Sequence, residues 1–167
     1  MFALSIIKNR RFCGGFTLVE LVLVLTIAGV LAAVLGPRMV DRTAFQTHGS
    51  AAEIRTALRY AQKLALAKNR EVCVVAAVPS TLTLGFNPTP VLGAVCNAAV
   101  SRLGENTPYT VTVPANIGLA AAPVTAFRFN GQGQPTSNSA VPLNTSVTLT
   151  VGGGTQVTVE RDTGYVH

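Results

Sequence analysis

Apolar positions along the chain fall into three patterns. Residues 16–35 read FTLVELVLVLTIAGVLAAVL, twenty positions with a single charge, Glu20. As a helix this run would span roughly 30 Å, the thickness of a bilayer's hydrocarbon core. Gly36-Pro37 follows. Proline lacks an amide donor and clashes with the preceding turn, so a kink or loosened turn is expected there. Over residues 36–70, Ile54, Ala57, Leu58, Ala61, Leu64 and Ala65 recur at helical spacing on one arc, and Arg55, Arg59, Lys63 and Arg70 fall on another. This predicts an amphipathic helix with an apolar face for a sheet and a basic face for another contact. His48-Gly49-Ser50 is its weak point, because Ser50 and Glu53 could cap a restarted helix. The favoured expectation is a nearly continuous rod from Phe16 to about Asn69, roughly 80 Å long.

From Glu71 onward the period changes. EVCVVAAV, TLTLGF, YTVTVP, AFRFN, VTLTV and QVTVE are short, β-branched or aromatic, and punctuated by Gly, Pro, Asn and Ser. Val78-Pro79-Ser80-Thr81 suggests the first hairpin turn, and Phe127 and Phe129 share one strand face. A helix followed by strands reads as α+β: a long N-terminal helix packed on a C-terminal antiparallel β-sheet head.

Composition adds two exclusions. The chain has 167 residues, 49% of them apolar and only 12% charged, against about 25% charged in an ordinary soluble domain. That rules out a disordered chain, and the length rules out a multi-span transporter. The net charge of +6 carries little information about nucleic acid. Lys8, Arg10 and Arg11 supply three of the 13 basic residues, and no acidic residue lies before residue 16, so the remainder is only +3.

The 16–35 run has competing readings. A secretory signal has a shorter apolar core followed by a small-residue cleavage site. A lipoprotein signal needs a cysteine after the run, and Cys13 precedes it. A plain anchor accounts for the length but not for Glu20, because a mid-membrane charge costs about 2.5–3.5 kcal/mol on insertion scales. The basic residues ahead of the run place the N-terminus in the cytoplasm.

Gly14-Gly15-Phe16-Thr17-Leu18-Val19-Glu20, with its short basic leader and the apolar run behind it, resembles the type IV pilin family, including the pseudopilins of type II secretion. The resemblance implies a leader over 1–15, cut by a prepilin peptidase between Gly15 and Phe16, and N-methylation of the Phe16 amine. It further implies a transmembrane helix over 16–35, an amphipathic helix over 36–70 and a β-rich periplasmic head over 71–167, in a single-pass protein of the bacterial inner membrane. Glu20 would then lie about one turn past the new amine. An unpaired carboxylate in an apolar setting is costly, and a neighbouring subunit's amine would relieve that cost and favour one axial register. The alternative is that Glu20 snorkels to the interface and pairs with nothing. Within the family, Phe127-Arg128-Phe129 through Gly133-Gln134-Pro135 resembles the F-x-F-x-x-x-G-x-P segment of the GspH/FimT group, and residues 157–166 resemble that group's closing strand and turn.

With Cys13 leaving in the leader, Cys73 and Cys96 remain for a periplasmic disulfide; two buried free thiols are the alternative. Catalytic chemistry is not in view. There is no H-E-x-x-H, no calcium loop around Glu160 and Asp162, and Gly152-Gly153-Gly154 lacks the lysine of a phosphate loop. No metal or cofactor is expected, and the chain reads as a substrate of enzymes rather than an enzyme. The basic face reads first as a solvated or subunit-contacting surface. DNA-binding members of the group resemble one another in a Gly-Arg-x-Arg tail, where this chain has Gly164-Tyr165-Val166-His167, which argues against a nucleic-acid partner. The leading expectation is a minor pseudopilin of the GspH/FimT type, partnered by other pilins or pseudopilins in a helical assembly that assists protein secretion. A minor type IV pilin for pilus assembly, motility or DNA uptake comes second, and a single-pass anchored periplasmic binding protein third.

Overall fold

In the computed structural model, residues 15–35, 42–102, 104 and 107–167 are described, and they divide into two units at Asp41/Arg42. Gly36-Pro37, where a kink is expected, and the leader up to Gly14 lie outside the described residues, and so does the join of a continuous rod.

Among its described residues the N-terminal unit contains one helix, α1 (Leu18–Leu35). The second unit opens with α2 (Arg42–Lys68), which runs unbroken through His48-Gly49-Ser50, so Ser50 does not start a new helix. Six of its residues, Ala51, Ile54, Ala57, Leu58, Ala61 and Ala65, are buried, all but Ala51 within the apolar arc read from the sequence. The helix stops where Asn69 adopts a left-handed φ of 48°. Asn69 N–H donates to Leu66 O and Arg70 N–H to Ala65 O, which satisfies two terminal carbonyls in a Schellman arrangement.

Among the described residues nine strands follow: β1 (Val72–Ala77), β2 (Thr81–Phe86), β3 (Ala98–Ala99), β4 (Thr110–Thr112), β5 (Leu119–Ala122), β6 (Ala126–Phe129), β7 (Pro135–Thr136), β8 (Val147–Val151) and β9 (Thr155–Val159). One sheet runs β3-β2-β1-β6-β7, with β4 also on β2; the other runs β5-β8-β9. All pairings are antiparallel. The expected turn at 78–81 joins β1 to β2 in register Ala77↔Thr81. Gly152 and Gly153, at φ 62° and 70°, make the turn between β8 and β9, a conformation that side-chain-bearing residues rarely adopt.

Alternate strand residues meet α2 in one core. Val72 and Val74 of β1, Leu82 of β2, Val147, Leu149 and Val151 of β8, and Val157 and Val159 of β9 are all sealed from solvent around the α2 face. Phe127 and Phe129 are buried edge-to-face, ring centroids 5.4 Å apart. The two segments that carried the group resemblance meet on α2: Gln62 Nε2 donates to Gly133 O and Thr163 O, and Gln134 Nε2 to Asp162 O. Gly164 sits at φ 67°, and a Cβ there would collide with Gly133 O.

Candidate functional site

The α1 helix is apolar on every side, and its side chains from Leu18 to Ala33 are exposed. Phe16 is 80% exposed, and Leu18, Val19, Leu21, Val22, Leu23, Val24, Leu25, Ile27, Val30 and Leu31 are all exposed. A helix hydrophobic all round is built to be buried, in lipid or among other helices. Thr17 caps it, Oγ1 accepting from Glu20 N–H at 3.2 Å. This cap sets the first turn and places Glu20 within it, where the helix dipole favours a carboxylate. Thr26 turns its hydroxyl inward to Leu23 O, so its polar group is satisfied within the helix. Because the helix starts at Leu18, its 18 residues span about 27 Å. Among the described residues no helix is long and apolar enough to cross a membrane.

In the head, a polar cluster organises the segment after β2. Glu71, 2% exposed at the mouth of β1, is the centre of it. Its Oε2 accepts from Asn87 Nδ2 at 2.9 Å, Gly93 N–H at 2.9 Å and Arg128 Nη1 at 3.2 Å. Arg128 Nη1 also donates to Ala94 O, and Asn87 Nδ2 to Val91 O. Cys73 of β1 is disulfide-bonded to Cys96, with Cα atoms 6.2 Å apart. Ion pair and disulfide therefore tie the same segment, 87–96, to β1 and β6. Neither Glu71 nor Arg128 stood out in the sequence. Arg128 alternates with Phe127 and Phe129 and so reads as solvent-facing, and only the 87–96 segment folding over it makes it buried. A disulfide closing 23 residues contributes roughly 3 kcal/mol in the chain-entropy model. Reduction should lower the melting temperature by roughly 10 °C, measured by circular dichroism with and without reductant. An unchanged transition would show that the polar cluster alone holds the segment.

The basic arc is not one open stripe. Arg59 donates through Nε and Nη2 to Val166 O at 3.2 and 2.9 Å, clamping the last strand pairing onto α2. Arg55 is half-buried, Arg70 closes the α2 terminus and is half-buried, and Lys63 is exposed. Arg102, from the segment after β3, pairs with Glu53 and lies over the Tyr109 ring, which stacks on Tyr60. Of these, Arg59 fastens the C-terminal segment to the helix, and Arg102, outside the arc, fastens the segment after β3 to it. Among the described residues no group of His, Cys, Asp and Glu could hold a metal ion.

Comparison with known proteins places both halves. Residues 10–36 match the prokaryotic N-terminal methylation motif. The chain is 30% identical over 152 residues to a type IV major alpha-pilin of Moraxella bovis, covering 91% of this chain and 81% of that protein. The type IV minor pilin FimU of Pseudomonas aeruginosa superposes with a TM-score of 0.52 at 16% identity, over 75% of this chain and 89% of that one, which shows a shared fold. The minor pseudopilin EpsH of the Vibrio cholerae type 2 secretion system aligns at a TM-score of 0.49 and 14% identity, over 73% of this chain and 94% of that one. Residues 50–163 match the family described as type II transport protein GspH. That match takes in well over half of the chain, including most of α2 and all nine strands, so the protein belongs to the GspH family of type IV pilin-like proteins.

Proposed function

We propose that this chain is a minor pseudopilin of the type II secretion pseudopilus: a non-enzymatic subunit anchored in the bacterial inner membrane, with its head in the periplasm. The observation that carries this reading is α1, an all-round apolar and exposed helix with one carboxylate in its first turn, which lies within the matched N-terminal methylation motif, residues 10–36. Such a helix needs a lipid or helical partner along its whole length. Prepilin peptidase would cut between Gly15 and Phe16 and leave a methylated Phe16 as the first residue. The helix would then sit in the membrane until it joins other pilin-like helices in a helical assembly. The family match to a type II transport protein supports the secretion machine. The 30% identity to an alpha-pilin supports a second reading, a minor subunit of a type IV pilus.

Deleting the chain in its host distinguishes them. Loss of extracellular release of secreted proteins, with surface pili intact, is expected. Loss of pili with secretion intact would overturn the pseudopilin reading in favour of the pilus. Processing has its own test. Gly15→Glu should leave the leader attached, because the residue beside the scissile bond must be small. Intact mass of the wild-type mature chain should begin at methylated Phe16, and a start beyond residue 30 would mean ordinary signal cleavage.

A further inference from the structure

Charge is unevenly spread over the second unit. The α2 helix carries Arg42, Arg55, Arg59, Lys63 and Lys68 against one acidic residue, Glu53. Glu53 is already paired with Arg102. The other described carboxylates of this unit are also taken: Glu71 faces Arg128, Asp162 faces Arg161 and Glu160 faces His167. Glu105 lies outside the described residues. Among the described residues, Lys63 and Arg59 therefore have no carboxylate of their own.

The two cations share a shallow hollow of about 330 Å³ on α2, lined by Thr56, Arg59, Tyr60 and Lys63. Arg59 and Lys63 are exposed and stand one helical turn apart, where like charges repel. Arg59 is held in place, because its Nε and Nη2 both donate to Val166 O; its Nη1 makes no hydrogen bond among the described residues. The hydroxyls of the hollow have no proton to offer. Thr56 Oγ1 donates to Ala52 O, and Tyr60 Oη donates to Ser101 O. Donors thus come from one fixed guanidinium and one mobile ammonium, which suits the two oxygens of a carboxylate. Nucleic acid fits less well. A backbone-tracking groove needs cations that continue along it and a free aromatic face, and the Tyr60 ring is already stacked on Tyr109.

We propose that this hollow receives an exposed Asp or Glu side chain of another pilin-like subunit. One carboxylate oxygen accepts from Arg59 Nη1–H and the other from Lys63 Nζ–H. The contact rests on the reading of the chain as a subunit of a helical assembly, and it applies equally to a pseudopilus and a pilus.

The test takes sheared pili or pseudopili containing the full chain and treats them with a water-soluble carbodiimide, which joins an amine to a carboxylate that touches it. Mass spectrometry of the digest should show Lys63 Nζ linked to an Asp or Glu of a different pilin-like subunit. Lys63→Glu, at an exposed position that leaves the core intact, should lower recovery of the chain in filaments at least about tenfold at equal membrane abundance. Lys63→Arg should keep recovery near wild type. Lys68→Glu should also leave it unchanged, since Lys68 lies over the Phe86 ring and outside the hollow. A filament-bound chain whose Lys63 stays unlinked, or links only to Glu105 or another carboxylate of its own chain, would overturn the proposal and leave the assembly reading standing. Absence of the wild-type chain from filaments would overturn both. Duplex DNA retained by the full chain in detergent micelles, and released by Lys63→Glu, would overturn the proposal in favour of a nucleic-acid site.

Discussion

A Glu20→Ala chain is expected to be processed, inserted and folded like wild type, yet to enter filaments poorly, its recovery falling at least about tenfold, equivalent to 1.4 kcal/mol. Removing a carboxylate from an apolar helix makes insertion easier. The head should be untouched, because α1 belongs to a separate unit from α2 and the strands. On the proposed assembly, what should be lost is an attraction to a neighbour's Phe16 amine and the register that it would set; breaking a buried pair costs about 3–5 kcal/mol when one charge is left alone. Glu20→Gln should behave similarly, since it keeps the shape and drops the charge. The structure adds a control. Glu20 also lies in the first turn that Thr17 caps, so a loss could in principle come from a frayed helix end. Thr17→Ala removes the cap and keeps the carboxylate, at a cost of about 1 kcal/mol to the helix end. It should therefore retain most of the assembly that Glu20→Ala loses. The measurement is co-purification with sheared pili or pseudopili at equal membrane abundance. Recovery equal to wild type for Glu20→Ala would reduce α1 to an anchor and bring the anchored binding-protein reading forward.

The second large effect is expected at Glu71. Its carboxylate accepts three hydrogen bonds and faces Arg128, with both side chains almost wholly buried. Glu71→Ala strands the Arg128 guanidinium without its counter-charge and leaves the Gly93 N–H and one Asn87 N–H unpaired. Removing one member of a buried pair costs about 3–5 kcal/mol, which should lower the melting temperature of the head by roughly 10–20 °C. Replacing both partners is a different experiment. Glu71→Met with Arg128→Met removes both charges and should recover a large part of the loss, because paired burial gains little over apolar packing of similar volume. Thermal unfolding of the four proteins in one double-mutant cycle measures the coupling. A coupling energy near zero would mean that Arg128 finds another acceptor and that the cluster does not hold the 87–96 segment.

The sequence by itself determined the elements whose burial pattern is local. The apolar face of α2 follows from spacing alone, because residues three and four apart must share a helix face wherever the helix packs. The longer strands follow from alternation, and the hairpin at Val78–Thr81 from its turn residues. The N-terminal motif was legible for the same reason: a small residue, an aromatic, a carboxylate and an apolar run lie within one contiguous stretch. Tertiary structure alone decided the rest. Leu119-Ala120-Ala121-Ala122 carries no strand signal, since alanine is a poor strand former, yet it becomes β5 by pairing with β8 from Leu119↔Val151 to Ala122↔Thr148. The two-residue strands β3 and β7 exist only because β2 and β6 present free edges to them. Arg59 sits in a basic arc by sequence, but the return of Val166, 107 residues later, turns it into a clamp. Glu71 and Arg128 lie 57 residues apart. No period relates such distant positions, and only the antiparallel pairing of β1 with β6, covered by the segment after β2, brings the two charges out of water together.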